Sequence, residues 1–127
     1  MPDAARPAVG TVAWFDLTVS DALGVREFYQ AVIGWTTSPV EMGGYEDFCM
    51  HPPEGGDPIA GVCHARGSNA DLPAQWLAYI VVADLDSSLA ACTTRGGAVL
   101  AGPKSMGTAR YAVIRDPAGA VLALYQV

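Results

Sequence analysis

The sequence predicts an α+β fold built from two copies of one β-α-β-β-β unit. Three observations predict it. Two segments carry helical apolar spacing between good caps. Eight short stretches read as strands bounded by Gly, Pro and Asp turns. These elements occur in the same order on either side of a polar linker. With 127 residues the chain suits one domain, or two half-size modules sharing one core. Hydrophobic residues make up 51% and charged residues 16%, which excludes disorder.

The first strand is expected over Thr11–Val19. Ala13, Phe15, Leu17 and Val19 form one face, and Trp14, Asp16 and Thr18 lie on the other. Asp21 is a helix N-cap, and Val25, Phe28, Tyr29 and Val32 make the apolar stripe behind it. Gly34 supplies the stop. Strands follow at Thr36–Met42 and Tyr45–His51, joined at Gly43-Gly44, then at Ile59–His64 after the Pro/Gly-rich turn Pro52–Pro58. The linker is Ala65–Ala74.

The second copy opens with Trp76–Val82, whose faces are Trp76/Ala78/Ile80/Val82 and Leu77/Tyr79/Val81. A helix starts near Asp84 or Asp86, with Leu85, Leu89 and Cys92 as its stripe and Gly96-Gly97 as its end. Strands are expected at Ala98–Ala101, Arg110–Arg115 and Ala120–Val127. The organisation is therefore one domain over 1–127, with modules 11–64 and 76–127 joined by 65–75. Sliding the chain by 63 residues superposes Val19 on Val82, Asp21 on Asp84, Gly34 on Gly97, Gly44 on Gly107, Gly56 on Gly119 and Ala60 on Ala123. These are a strand end, a helix cap, a helix stop and turns, where the backbone dictates residue type.

Composition excludes several partners. Seven Lys+Arg against thirteen Asp+Glu give a net charge of −6, which repels phosphate backbones and anionic lipid. Neither nucleic acid nor membrane is expected, and no apolar run is long enough for a membrane span. The stretch Met1–Gly10 has no signal-peptide core and reads as a short flexible arm. Cys49, Cys63 and Cys92 are an odd set without CxxC spacing, as suits buried free thiols in a cytoplasmic protein. No phosphate loop and no G-x-S-x-G elbow occurs. Cys63 and His64 are strand neighbours, so they point apart and do not form a nucleophile–base pair.

Three segments carry a resemblance: Trp14-Phe-Asp-Leu-Thr-Val-Ser-Asp21, Glu27-Phe-Tyr-Gln-Ala-Val-Ile-Gly-Trp35 and Arg115-Asp-Pro-Ala-Gly-Ala120. In these the chain resembles the vicinal oxygen chelate superfamily, the glyoxalase/bleomycin-resistance/dioxygenase group, over residues 11–127. The resemblance implies paired βαβββ modules forming a cupped mixed sheet around a cavity, with helices on the outer face. It also implies metal ligands at four strand positions, here Trp14, Ala60, Leu77 and Ala123. None of these side chains is a donor for a divalent metal. The expectation is therefore no metal and no cofactor, and it argues against glyoxalase, epimerase and dioxygenase chemistry. A two-ligand site at His64 and Asp16 would hold a metal poorly.

The expected cavity lining is Trp14, Asp16, Thr18, Val62, His64, Leu77, Tyr79, Val121 and Tyr125, with Trp35, Phe48 and Tyr111 as additions of uncertain facing. Flat rings with a few polar groups suit an aromatic small molecule. Taken singly, such aromatics fill cores more often than they bind ligands. Asp16 tips the balance, since a carboxylate in a dry core needs water, a partner or a ligand. The first reading is a metal-free protein that sequesters a flat aromatic natural product or drug, as in antibiotic resistance. The alternative is a metal-independent tailoring enzyme of natural-product biosynthesis. There Asp16 is the candidate base, and His64, Tyr79 or Tyr125 is the acid or orienting group. An interaction module without a ligand ranks third. The resemblance also implies a homodimer.

Overall fold

The computed structural model describes residues 7–127, so Met1–Arg6 of the expected arm lie outside the described residues. The rest of that stretch is tied down. Thr11 N–H donates to the Ala8 carbonyl, and Gly10 N–H donates to the Val81 carbonyl at 2.8 Å. Val81 N–H returns to the Thr11 carbonyl at 2.9 Å, with Gly10 at φ +89°. This is a β-bulge, in which glycine supplies the left-handed residue.

The elements are β1 (Val12–Val19), α1 (Ala22–Ile33), β2 (Thr36–Glu41), β3 (Glu46–His51), β4 (Ala60–His64), β5 (Trp76–Val81), α2 (Leu85–Thr94), β6 (Ala98–Met106), β7 (Ala109–Arg115) and β8 (Val121–Gln126), with one 3-10 turn at Gly67–Asn69. The fold is α+β, with two helices and eight strands among the described residues and the expected βαβββ order twice over. It divides into two units. The first is Phe15–Trp76, and the second joins the stretch ending at Trp14 to Leu77–Val127.

In the first unit the strand order is β2-β3-β4-β1. β1 and β4 are parallel, with Asp16 beside Gly61, Leu17 beside Val62, Thr18 beside Cys63 and Val19 beside His64. The other pairs are antiparallel. The Asp21 carboxylate accepts from Gly24 N–H at 3.0 Å and starts α1; Gly34, at φ +88°, ends it. The helix is rolled from its expected stripe. Ala22, Val25 and Tyr29 pack on the sheet, while Phe28 and Val32 are 57% and 62% exposed. The packing set Ala22, Val25, Arg26 and Tyr29 follows i, i+3, i+4, i+7, with the Arg26 guanidinium 4.6 Å above the Phe48 ring.

In the second unit the order is β5-β8-β7-β6, with β5 and β8 parallel and the rest antiparallel. The Asp84 carboxylate caps α2 through Ser87 N–H. Leu85 and Leu89 are buried among Ala112, Ile114 and Leu124, as the stripe predicts. β6 runs five residues past its expected end at Ala101, because Gly102 and Pro103 are absorbed as a register shift within the strand.

Candidate functional site

Each unit has a sheet face covered by its helix and an opposite face left open by that helix, on which Leu77, Tyr79, Val113 and Ala123 in one unit and Thr18 and Asp47 in the other are nonetheless buried. Register decides which side chains reach the open one. In the second unit Leu122, Leu124, Ala112 and Ile114 pack on α2. The alternating residues Tyr79, Ala123, Tyr125, Tyr111 and Val113 therefore share the open face. They form two cross-strand rows, Tyr79–Ala123–Val113–Ala101 and Val81–Tyr125–Tyr111–Lys104. The Tyr79 and Tyr111 rings lie 5.9 Å apart at 41°, and the Lys104 ammonium sits 5.6 Å from the Tyr111 ring centre. Leu77, Tyr79, Val121, Tyr111 and Tyr125 thus share one face.

The first unit's open face has opposite chemistry. One row is Ser38–Cys49–Gly61–Asp16, and two residues along each strand come the pairs Val40–Asp47 and Cys63–Thr18. Asp47 and Thr18 are buried. The Cys63 thiol lies beside both Asp47 and Asp16, and Asp47 Oδ1 accepts from His64 N–H at 2.9 Å. Burial, then the charges of Asp16 and Asp47, push the Cys63 thiol far above its ordinary range. Burial and Asp16 likewise raise Cys49. Both thiols stay protonated and inert as nucleophiles or thiolate ligands. The partner that a carboxylate at Asp16 requires is thus partly the Cys63 thiol. Trp14 alternates with Asp16 and Thr18 along β1 and is partly buried; it is counted with the second unit.

Four expected lining residues lie on the helix side instead. Phe48 and Val62 are buried in the cluster beneath α1. Trp35 packs with Tyr29 and Trp76, whose indole N–H donates to the Tyr29 hydroxyl at 3.1 Å. His64 stands edge-on to Tyr45 at 5.5 Å and lies 6.3 Å from Phe48. The cause of the error at β4 is one residue of register. Asp16 and Tyr79 are equivalent at a spacing of 63, but their partners Gly61 and Ala123 are 62 apart. A slip of one reverses every side chain of a strand. His64 therefore does not join Asp16; Cys63 does.

The same correction moves the expected metal position on β4 from Ala60 to Gly61. The set Trp14, Gly61, Leu77 and Ala123 still offers no donor atom, so the residues present do not fit a metal there. Among the described residues no group of three or more His, Cys, Asp or Glu side chains could hold a metal ion.

Sequence reasoning missed Asp47, Cys63, Lys104 and a Ser38–His51 pair. In that pair His51 Nδ1 donates to the Gly56 carbonyl at 2.8 Å, so Nε2 accepts from the Ser38 hydroxyl at 2.7 Å. The correct β4 register would have found Cys63. Nothing in the local sequence signals the facing of Lys104.

Two βαβββ units with facing-dependent polar and aromatic surfaces define a paired-module α+β domain. The profile of the Glyoxalase/Bleomycin resistance protein/Dioxygenase superfamily matches residues 11–124. The chain belongs to that superfamily. It is similar to the anthracycline biosynthesis protein DnrV of Streptomyces peucetius, at 33% identity over 95% of this chain and 48% of the relative. It is also similar to the anthracycline biosynthesis protein DauV of Streptomyces sp. (strain C5), at 32% over the same shares. The chain thus spans about half the length of these curated relatives. A solved methylmalonyl-CoA epimerase of Streptomyces coelicolor aligns with TM-score 0.56 at 16% identity, covering 94% of this chain and 98% of that one. That likeness speaks for the fold alone.

Proposed function

We propose that this domain holds a flat aromatic natural-product intermediate for a metal-independent step in its biosynthesis. The observation that carries the reading is the second unit's open face, where Tyr79, Tyr111 and Tyr125 share one side of the sheet. Ring stacking on such a face favours flat aromatic ligands. Similarity to two anthracycline biosynthesis proteins supports a polycyclic aromatic ligand and favours a biosynthetic role over drug sequestration. The first unit's own candidate for a proton-transfer base is Asp16, with Thr18 beside it on the same strand face. Trp14 and Leu77 are further candidate contacts. The positions that would hold a metal carry no donor atoms, which favours a metal-independent step.

The test is incubation with a panel of polycyclic aromatic compounds, followed by mass spectrometry of bound and released material. A ligand returned with altered mass or retention supports the biosynthetic reading. One released unchanged from a stable complex supports sequestration instead. No bound compound at micromolar concentration overturns both. The same reading takes the chain to be a cytoplasmic homodimer. No helix among the described residues is long and apolar enough to cross a membrane. A sedimentation mass near the single-chain 13.2 kDa would contradict the dimer.

A further inference from the structure

Lys104 is the only lysine of the chain. Its facing is set by an irregularity in β6. Ala101 pairs with Val113 and Lys104 with Tyr111, so three steps on β6 match two on β7. In an unbroken strand residues 101 and 104 point to opposite faces. The extra residue turns Lys104 away from the α2 side and onto the face of Tyr111 and Tyr125. Gly102 makes the turn possible. Its φ is +84°, and a Cβ there would stand 2.8 Å from the Tyr111 carbonyl oxygen. The sheet therefore departs from regular pairing at a position only glycine can occupy without strain, and the result is an ammonium 5.6 Å from the Tyr111 ring centre.

The surrounding charge gives this placement meaning. The chain carries −6 overall, so an anionic ligand is repelled at long range. Yet the strands β5 to β8 carry no Asp or Glu. An ammonium beside these tyrosine rings discriminates by charge: an acidic group on an aromatic ligand gains a charge-assisted hydrogen bond, whereas a neutral ring system gains none.

We propose that Lys104 selects aromatic ligands bearing an ionised acidic group, a carboxylate or an acidic ring hydroxyl, with the β6 bulge aiming it at them. This rests on the aromatic-ligand reading given above and specifies it. The test compares anthraquinone-2-sulfonate with uncharged 2-methylanthraquinone, titrated against the 127-residue chain and its Lys104→Met and Lys104→Arg variants. The unaltered chain is expected to prefer the sulfonate by roughly tenfold, the scale of one charge-assisted hydrogen bond. Lys104→Met should abolish the preference while keeping affinity for the neutral probe, and Lys104→Arg should retain most of it. Equal binding of both probes by the unaltered chain overturns the proposal. So does a Lys104→Met variant that keeps the preference or weakens both probes alike. If neither probe binds, the aromatic-ligand reading itself fails, which is a separate outcome.

Discussion

At the scale of single residues, the acidic cluster of the first unit makes the clearest demand. Cys63 lies beside two carboxylates and is held protonated, first by burial and then by Asp16 and Asp47. Its unfolded counterpart ionises near the ordinary value of 9.0. The folded state keeps the proton longer, so this group's contribution to stability is full below about pH 9 and is lost as pH rises beyond it. Unfolding free energy should therefore fall by about 1 kcal/mol between pH 9 and pH 10 through this group alone. Urea denaturation at a series of pH values checks it: the alkaline slope should be shallower in Cys63→Ala. A slope unchanged by the substitution would mean that the thiol is not held as the geometry implies.

At the scale of elements, helix caps and strand alternation were legible because they are local. Asp21 and Gly34 bound α1 where the sequence places them, and Asp84 begins α2. The Tyr79 and Tyr125 facings follow from alternation inside strands whose limits Gly and Pro mark, whereas the facing of Tyr111, left open by the sequence, is set by its pairing with Tyr125. The remainder depended on pairing, which no window of sequence contains. The 63-residue repeat holds from β1 to β5 but loses one residue by β8, and that displaced Val62 and His64 to the wrong face. The rolled stripe of α1 was hidden for a related reason. An arginine can pack its guanidinium on a phenylalanine ring and take a place in the buried face, leaving Phe28 outside. The β6 bulge could not be read either, since Gly102-Pro103 looks like a strand end. Gly102→Ala tests its importance. The substitution should cost about 1–3 kcal/mol, the usual scale of a strained backbone residue. Gly107→Ala, also at positive φ but with no atom near its Cβ, should cost less. Thermal or urea unfolding of both variants decides it, and equal losses would remove the steric argument.

At the scale of the whole chain, duplication has been used to diversify. Equivalent open-face positions carry Asp16 and Tyr79, Asp47 and Tyr111, and Cys63 and Tyr125 in the two units. One framework thus presents an acidic, thiol-bearing surface in the first unit and an aromatic, cationic one in the second.

The central claim, that the tyrosine face is where an aromatic ligand binds, is tested most directly by titrating tryptophan fluorescence with an anthraquinone chromophore. The chain is compared with Tyr111→Leu, which removes a ring from the open face, and Phe48→Leu, which alters a buried ring under α1. The account predicts saturable binding that Tyr111→Leu weakens roughly two- to tenfold, the scale of one aromatic pair, with Phe48→Leu unchanged in affinity. An affinity untouched by Tyr111→Leu, or weakened equally by Phe48→Leu, would contradict it.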